Sequence, residues 1–120
     1  MEEPIVDYRP WGKFVQFSKN EPTTVKIIEV QPGHQLSVQK HEHRDEMWVA
    51  LDQGLVALVG DDTIFMKDIE IANEPVWIPR GTVHSIKNVN VGHKAKFLEI
   101  SFGEFDEDDI ERIRDDYGRA

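Results

Sequence analysis

The chain has 120 residues, 23 of them acidic and 14 basic, for a formal charge of −9 at pH 7. That length supports one domain, residues 1–120, with a real hydrophobic core. The acidity argues against nucleic acid or an anionic membrane as partner. The lack of cysteine excludes disulfides, thiolate metal sites and thiol nucleophiles, so any metal must be held by His, Asp, Glu or an amide oxygen.

No apolar run approaches the roughly 20 residues that span a bilayer. The start, Met1-Glu2-Glu3-Pro4, lacks the basic and apolar regions of a signal peptide. The expected location is therefore the cytoplasm.

Short β-type runs separated by Gly, Pro, Asn and Asp fill most of the chain. In order they are Lys13–Ser18, Thr24–Val30, Leu36–His41, Met47–Leu51, Leu55–Val59, Thr63–Met66, Val76–Ile78, Val83–Val89 and Lys96–Phe102. The number and spacing predict an all-β sandwich or barrel, and the lack of strand–helix alternation argues against a parallel doubly wound sheet. A short C-terminal helix is expected after Asp106, which can cap it, with Ile110, Ile113 and Tyr117 on one face. Residues 103–120 hold 8 acidic and 3 basic residues. The run Asp106-Glu107-Asp108-Asp109 is read as the solvated start of that helix.

Two stretches carry chemistry. In the first, strand alternation puts Gln39, His41 and His43 on one face and Leu36 and Val38 on the other. An amide and two imidazoles on one face suit a transition metal. Glu46 has the wrong parity and joins them only if the chain turns or bulges near Arg44-Asp45. Taken alone, the His-x-His pattern equally describes a solvated strand face. In the second stretch, Pro79-Arg80-Gly81 reads as a tight turn with Pro second and Gly fourth, leading into a strand with His84 near its start. A third histidine from a distant strand completes a site with an open position. In isolation, His84 would read as a satisfied core histidine.

Together these stretches resemble the two cupin motifs. The first motif runs Gly, spacer, His-x-His, short spacer, acid. The second runs Gly-x5-Pro-x-Gly-x2-His-x3-Asn. Pro79, Gly81, His84 and Asn88 match the later fixed positions, and Asn73 stands where the leading Gly would be. The fold so implied is a cupin, a double-stranded β-helix or jelly-roll barrel. Arg9-Pro10-Trp11-Gly12, the run from Leu36 through Gln39, His41, His43, Arg44 and Glu46 to Trp48, and the ending Asp116-Tyr117-Gly118-Arg119 resemble type II mannose-6-phosphate isomerase domains. One departure is Met47, where that family usually carries His. In many members a sugar-nucleotide transferase domain precedes this one; here a stand-alone domain without guanylyltransferase activity is expected.

The resemblance implies a metal-dependent aldose–ketose isomerase interconverting mannose 6-phosphate and fructose 6-phosphate. One divalent ion is expected, zinc first, with manganese, iron, cobalt or nickel as alternatives. Its ligands would be His41, His43 and His84, with Gln39 or Glu46 completing the shell. The metal would polarise a carbonyl while a carboxylate moves the proton, and Glu46 and Glu99 are the candidates. Arg44 and Arg80, then Lys26 and Arg9, are the candidate cations for the sugar phosphate. An iron(II) oxygenase, a non-catalytic sugar-binding cupin, and an isomerase or epimerase of another sugar are the alternatives. A homodimer is expected, with the N-terminal segment around Phe14 and Phe17 contributing.

Overall fold

The computed structural model describes residues 3–68 and 74–118. Asn73 and Arg119 therefore lie outside the described residues. Eleven strands are present among the described residues: β1 Ile5–Arg9, β2 Gly12–Gln16, β3 Thr23–Val30, β4 Val38–Lys40, β5 Arg44–Ala50, β6 Leu55–Val59, β7 Asp62–Phe65, β8 Val76–Ile78, β9 His84–Asn88, β10 Ala95–Gly103 and β11 Glu111–Arg114. They form a four-stranded sheet in the order β3-β10-β5-β8, a five-stranded sheet in the order β11-β4-β9-β6-β7, and a separate hairpin of β1 and β2. All strand pairs are antiparallel. This is the expected all-β cupin jelly roll.

Alternation along each strand builds the interior. On β5, Arg44, Glu46, Trp48 and Ala50 point inward, and Trp48 and Ala50 join the main core with Phe97, Ile78, Leu55 and Ile86. Asp45, Met47 and Val49 point the other way. There Met47 and Val49 form a second cluster with Ile100, covered by Phe17, Trp77, Leu98 and Phe102. The four-stranded sheet is therefore buried along part of both faces, which explains why β5 is buried almost throughout and continuously apolar from Met47 to Ala50.

Three sequence expectations need correction. The C-terminal helix is not formed, and no helix occurs among the described residues. Asp106 instead opens a turn: its carboxylate accepts from Asp108 N–H at 2.9 Å and its carbonyl from Asp109 N–H at 3.0 Å. The chain then pairs as β11 with the free edge of β4. Tertiary pairing outweighs local helical spacing here, and Ile113 and Tyr117 stay about half exposed. Second, β1 was not expected. Third, the turn before β9 is shifted by one residue. Thr82 N–H donates to Pro79 C=O at 3.1 Å, so Pro79 is first and Gly81 third. Gly81 has φ +79°, which matches the positive φ that a type II turn requires at its third residue.

Gly54 is fixed by close approach. A Cβ there would lie 2.0 Å from Asn90 Oδ1, and its φ is +95°. Asn90 in turn donates to Gln53 C=O at 2.8 Å, tying the β5–β6 turn to the chain after β9.

Candidate metal centre

The site forms where β4, β5 and β9 meet. β9 pairs with β4 through His84 opposite Gln39, and β9 also pairs with β6. Between β4 and β5 the chain bends at Glu42-His43. That bend resets the alternation. His41 stays inside, His43 is turned out to solvent, and Glu46 comes inward on the restarted strand.

His41, Glu46 and His84 are the result, at 2%, 1% and 2% exposure. Their ligand-capable atoms all lie within 4.8 Å of one another. Glu46 Oε1 is 3.2 Å from His41 Nε2 and 3.2 Å from His84 Nε2. Both imidazoles are fixed from behind. His41 Nδ1 is 2.7 Å from the Asp109 carbonyl and His84 Nδ1 is 2.8 Å from the Thr82 carbonyl. A carbonyl can only accept, so Nδ1 carries the proton in each ring and Nε2 presents its lone pair to the cluster. Glu46 Oε1 and His84 Nε2 are buried and have no hydrogen-bond partner among the described residues. Two orphaned acceptors facing a second imidazole nitrogen, in a set of two imidazoles and a carboxylate, fit a divalent cation in number and donor type.

The electrostatics agree. Burial pushes the Glu46 carboxyl up, but the two imidazoles beside it outweigh this and hold it well below the usual carboxylate range. Burial draws His41 down, yet its contacts with Glu46 and the Asp109 carbonyl bring the net shift upward. Glu99, inward on β10, is pushed up to about 7 by burial and then by the charge and proximity of Glu46. The Trp48 indole N–H donates to Glu99 at 3.3 Å. Ser101 Oγ donates to Glu46 Oε2 at 3.4 Å.

The other candidates divide. Gln39 lies beside His41, but Ser37 holds its amide oxygen at 2.6 Å and its nitrogen faces His41 at 3.5 Å. His43 sits outside the cluster. Arg44 is buried next to the site, with Nη2 3.2 Å from His41 Nε2 and Nε 4.0 Å from Glu46. Lys26 lies opposite Glu99 in the β3–β10 register and reaches Glu107 at 3.3 Å. Phe105 lies under both cations, 4.3 Å from Arg44 and 4.4 Å from Lys26. Arg80 does not reach the cluster. It pairs at 3.2 Å with Asp45, which faces away from Glu46 on β5. Arg9 is in the hairpin, paired with Asp7 at 3.0 Å and lying over Phe14. Met47 is on the outward face of β5 and does not line the site.

Sequence reasoning missed Asp109, Phe105 and Trp48. Trp48 carried a signal, since it shares parity with Glu46. Asp109 was read only as part of an acidic helix start and Phe105 carried no signal, because only the return of the C-terminal segment brings them to the site.

The family described as mannose-6-phosphate isomerase C-terminal matches residues 3–115. Among curated relatives, mannose-1-phosphate guanylyltransferase 2 of Escherichia coli O157:H7 is 37% identical over 111 residues, covering 92% of this chain and 22% of that protein. Mannose-1-phosphate guanylyltransferase ManC of Salmonella typhimurium is 35% identical over 114 residues, covering 94% and 23%. The chain thus spans less than a quarter of these relatives' length. A solved structure, the 3'-monoepimerase ChmJ of Streptomyces bikiniensis in complex with dTDP-quinovose, superposes with a TM-score of 0.71 at 12% identity, covering 93% of this chain and 67% of that one. That likeness shows the fold alone.

These relatives correct the expected activity. They are named for guanylyl transfer to a sugar phosphate, not for aldose–ketose isomerisation. The mannose 6-phosphate/fructose 6-phosphate isomerase expected from the motifs does not stand. What remains is kinship with enzymes of sugar metabolism.

Proposed function

We propose, on the premise that this chain belongs to the mannose-6-phosphate isomerase C-terminal family, that it is a metal-dependent domain binding a phosphorylated sugar, mannose 1-phosphate first. The convergence of buried, unpartnered acceptors on one point carries this reading. His41 Nε2, Glu46 and His84 Nε2 would hold the cation, with zinc the first choice and manganese, iron, cobalt or nickel as alternatives. When bound, it would supply a Lewis acid for a ligand oxygen.

The chain's own residues provide the rest. Arg44 and Lys26 place two cations beside the cluster in an acidic protein. Arg44 can grip phosphate bidentately and Lys26 adds a point charge. Both now pack on Phe105, and Lys26 also contacts Glu107. Binding therefore displaces the 105–107 stretch and exchanges its contacts for the phosphate. The names of the relatives support mannose 1-phosphate as the ligand, and a cytoplasmic site of action belongs to the same reading.

Calorimetry on zinc-loaded protein tests it. Mannose 1-phosphate should bind, uncharged mannose should bind far more weakly, and Lys26→Ala should cost about tenfold in affinity. Absence of measurable heat with mannose 1-phosphate would overturn the proposal. So would wild-type affinity in both Lys26→Ala and Arg44→Lys.

A further inference from the structure

A cavity lies on the face of the four-stranded sheet opposite the His41–Glu46–His84 cluster. It has a volume of about 510 Å³, within the roughly 300–1,000 Å³ typical of small-molecule sites. Its floor is aromatic. Trp77 of β8 and Phe102 of β10 lie 6.3 Å apart and tilted by 33°, and Phe17 stands beside them. Its rim is polar: Gln16, Ser18, Lys19, Glu21, Glu3 and Asp45. The strand alternation that sends Glu46 inward sends Asp45 into this cavity. The metal centre and the cavity therefore stand back to back across β5.

The rim's charge selects against anions. The lining holds three carboxylates, Glu3, Glu21 and Asp45, against one cation, Lys19, and Arg80 is committed to Asp45 through 3.2 and 3.5 Å contacts and a 2.8 Å backbone bond. The arginine pairing also holds the Asp45 side chain in place, so the rim carries a fixed acceptor. The Gln16 amide and the Ser18 hydroxyl make no hydrogen bond to another described side chain, which leaves donors and acceptors for a ligand. An aromatic floor with free hydrogen-bonding groups around it fits a molecule with one apolar face and a belt of hydroxyls. The C–H face of a pyranose ring meets this description, because its slightly positive hydrogens suit the negative face of an aromatic ring.

We propose that this cavity is a binding site for a neutral saccharide, separate from the metal centre. The two faces of the sheet then divide the chemistry: anionic sugars on the inner face and uncharged sugar units on the outer.

NMR of the full chain, following the indole N–H signals of its tryptophans, tests this. Mannotriose is the probe, a neutral oligomer of the sugar in the relatives' names. It should shift the Trp77 indole saturably and leave that of Trp48, which lines the interior, in place. Gln16→Ala/Ser18→Ala, which alters only the rim, should weaken binding, and Trp77→Leu should weaken it by about tenfold. Mannose 1-phosphate should not move Trp77, so failure here is distinguishable from failure at the metal centre. A Trp77 signal unchanged by mannotriose would overturn the proposal, as would full affinity in the Gln16→Ala/Ser18→Ala variant. Burial of the cavity by a second copy, seen as Trp77 protection that follows protein concentration, would also overturn it.

Discussion

At the residue scale, the His41–Glu46–His84 cluster is costly to the protein by itself. Leaving a buried polar atom unsatisfied costs about 1–3 kcal/mol, and both Glu46 Oε1 and His84 Nε2 are in that state. A cation relieves both at once. Purified protein should carry about one transition-metal ion per chain, and chelation should lower its Tm, since a ligand of the folded state alone stabilises it by mass action. His84→Ala should lose the metal and the chelator-dependent shift together. Full metal content in that variant would refute the ligand assignment. Glu99 gives a pH test. Its carboxyl is pushed up to about 7 from an ordinary 4.5. An acid raised in the folded state favours folding below its unfolded pKa and loses that contribution as pH rises through the folded value. In metal-stripped protein, Glu99→Gln should therefore be more stable than wild type at pH 8, by up to about 3 kcal/mol, with the gap closing by about pH 5. Urea titrations at the two pH values measure it, and an unchanged gap would count against the raised carboxyl.

At the element scale, the segment between β10 and β11 closes the site. Its Asp109 carbonyl orients His41 at 2.7 Å, and its carboxylate accepts from Glu42 N–H at 2.9 Å and His43 N–H at 3.0 Å. One residue thus fixes both the bend that turns His43 outward and the ring that stays inside. The Glu42 N–H holds the Asp109 carboxyl below its ordinary 3.8, with burial opposing it and the His43 N–H adding to it. A depressed acid stabilises the fold above its unfolded pKa and loses this as pH falls through the folded one. Asp109→Asn should lower Tm at about pH 6, and the difference from wild type should shrink as pH falls below 3.8. A constant difference across that range would show that the carboxylate charge is not what holds the bend. Met47 belongs to the same scale. Because it faces away from the cluster, the histidine that usually stands there would not touch the metal without a local rearrangement of β5.

At the scale of the whole molecule, the hairpin and the edge strand β3 leave large apolar side chains exposed. Tyr8 and Trp11 on the hairpin are 75% and 74% exposed, Phe14 is 36% exposed, and Val25 and Ile27 on edge strand β3 are 55% and 65% exposed. A two-stranded hairpin is marginal alone, and an uncovered edge strand is a liability. At roughly 150–250 Å² for each buried aromatic, these side chains approach the ~800 Å² per partner of a stable interface. We propose a homodimer built on this surface, in which Phe14 takes part while Phe17 is spent on the second cluster of its own chain. Light scattering should report a dimer, and Trp11→Lys should shift it toward monomer. A monomer at high concentration would rule the dimer out.

What the sequence determined alone was the set of elements that local chemistry specifies. Alternating apolar residues and turn residues located nine of the eleven strands among the described residues, with β6 and β8 at their observed limits. The spacing of His41 and His84, with the Pro79–Gly81 turn, marked the two stretches that meet in the cluster. Tertiary structure decided the rest. Whether His43 or Glu46 faces inward depended on a bend held by Asp109, 66 and 67 residues away from the amides it accepts from. Whether residues 111–114 became helix or strand depended on the open edge of β4. Whether Arg80 reached the site depended on which face of β5 carried Asp45. Each of these is set by a partner distant in the chain, and no window of local sequence contains that partner.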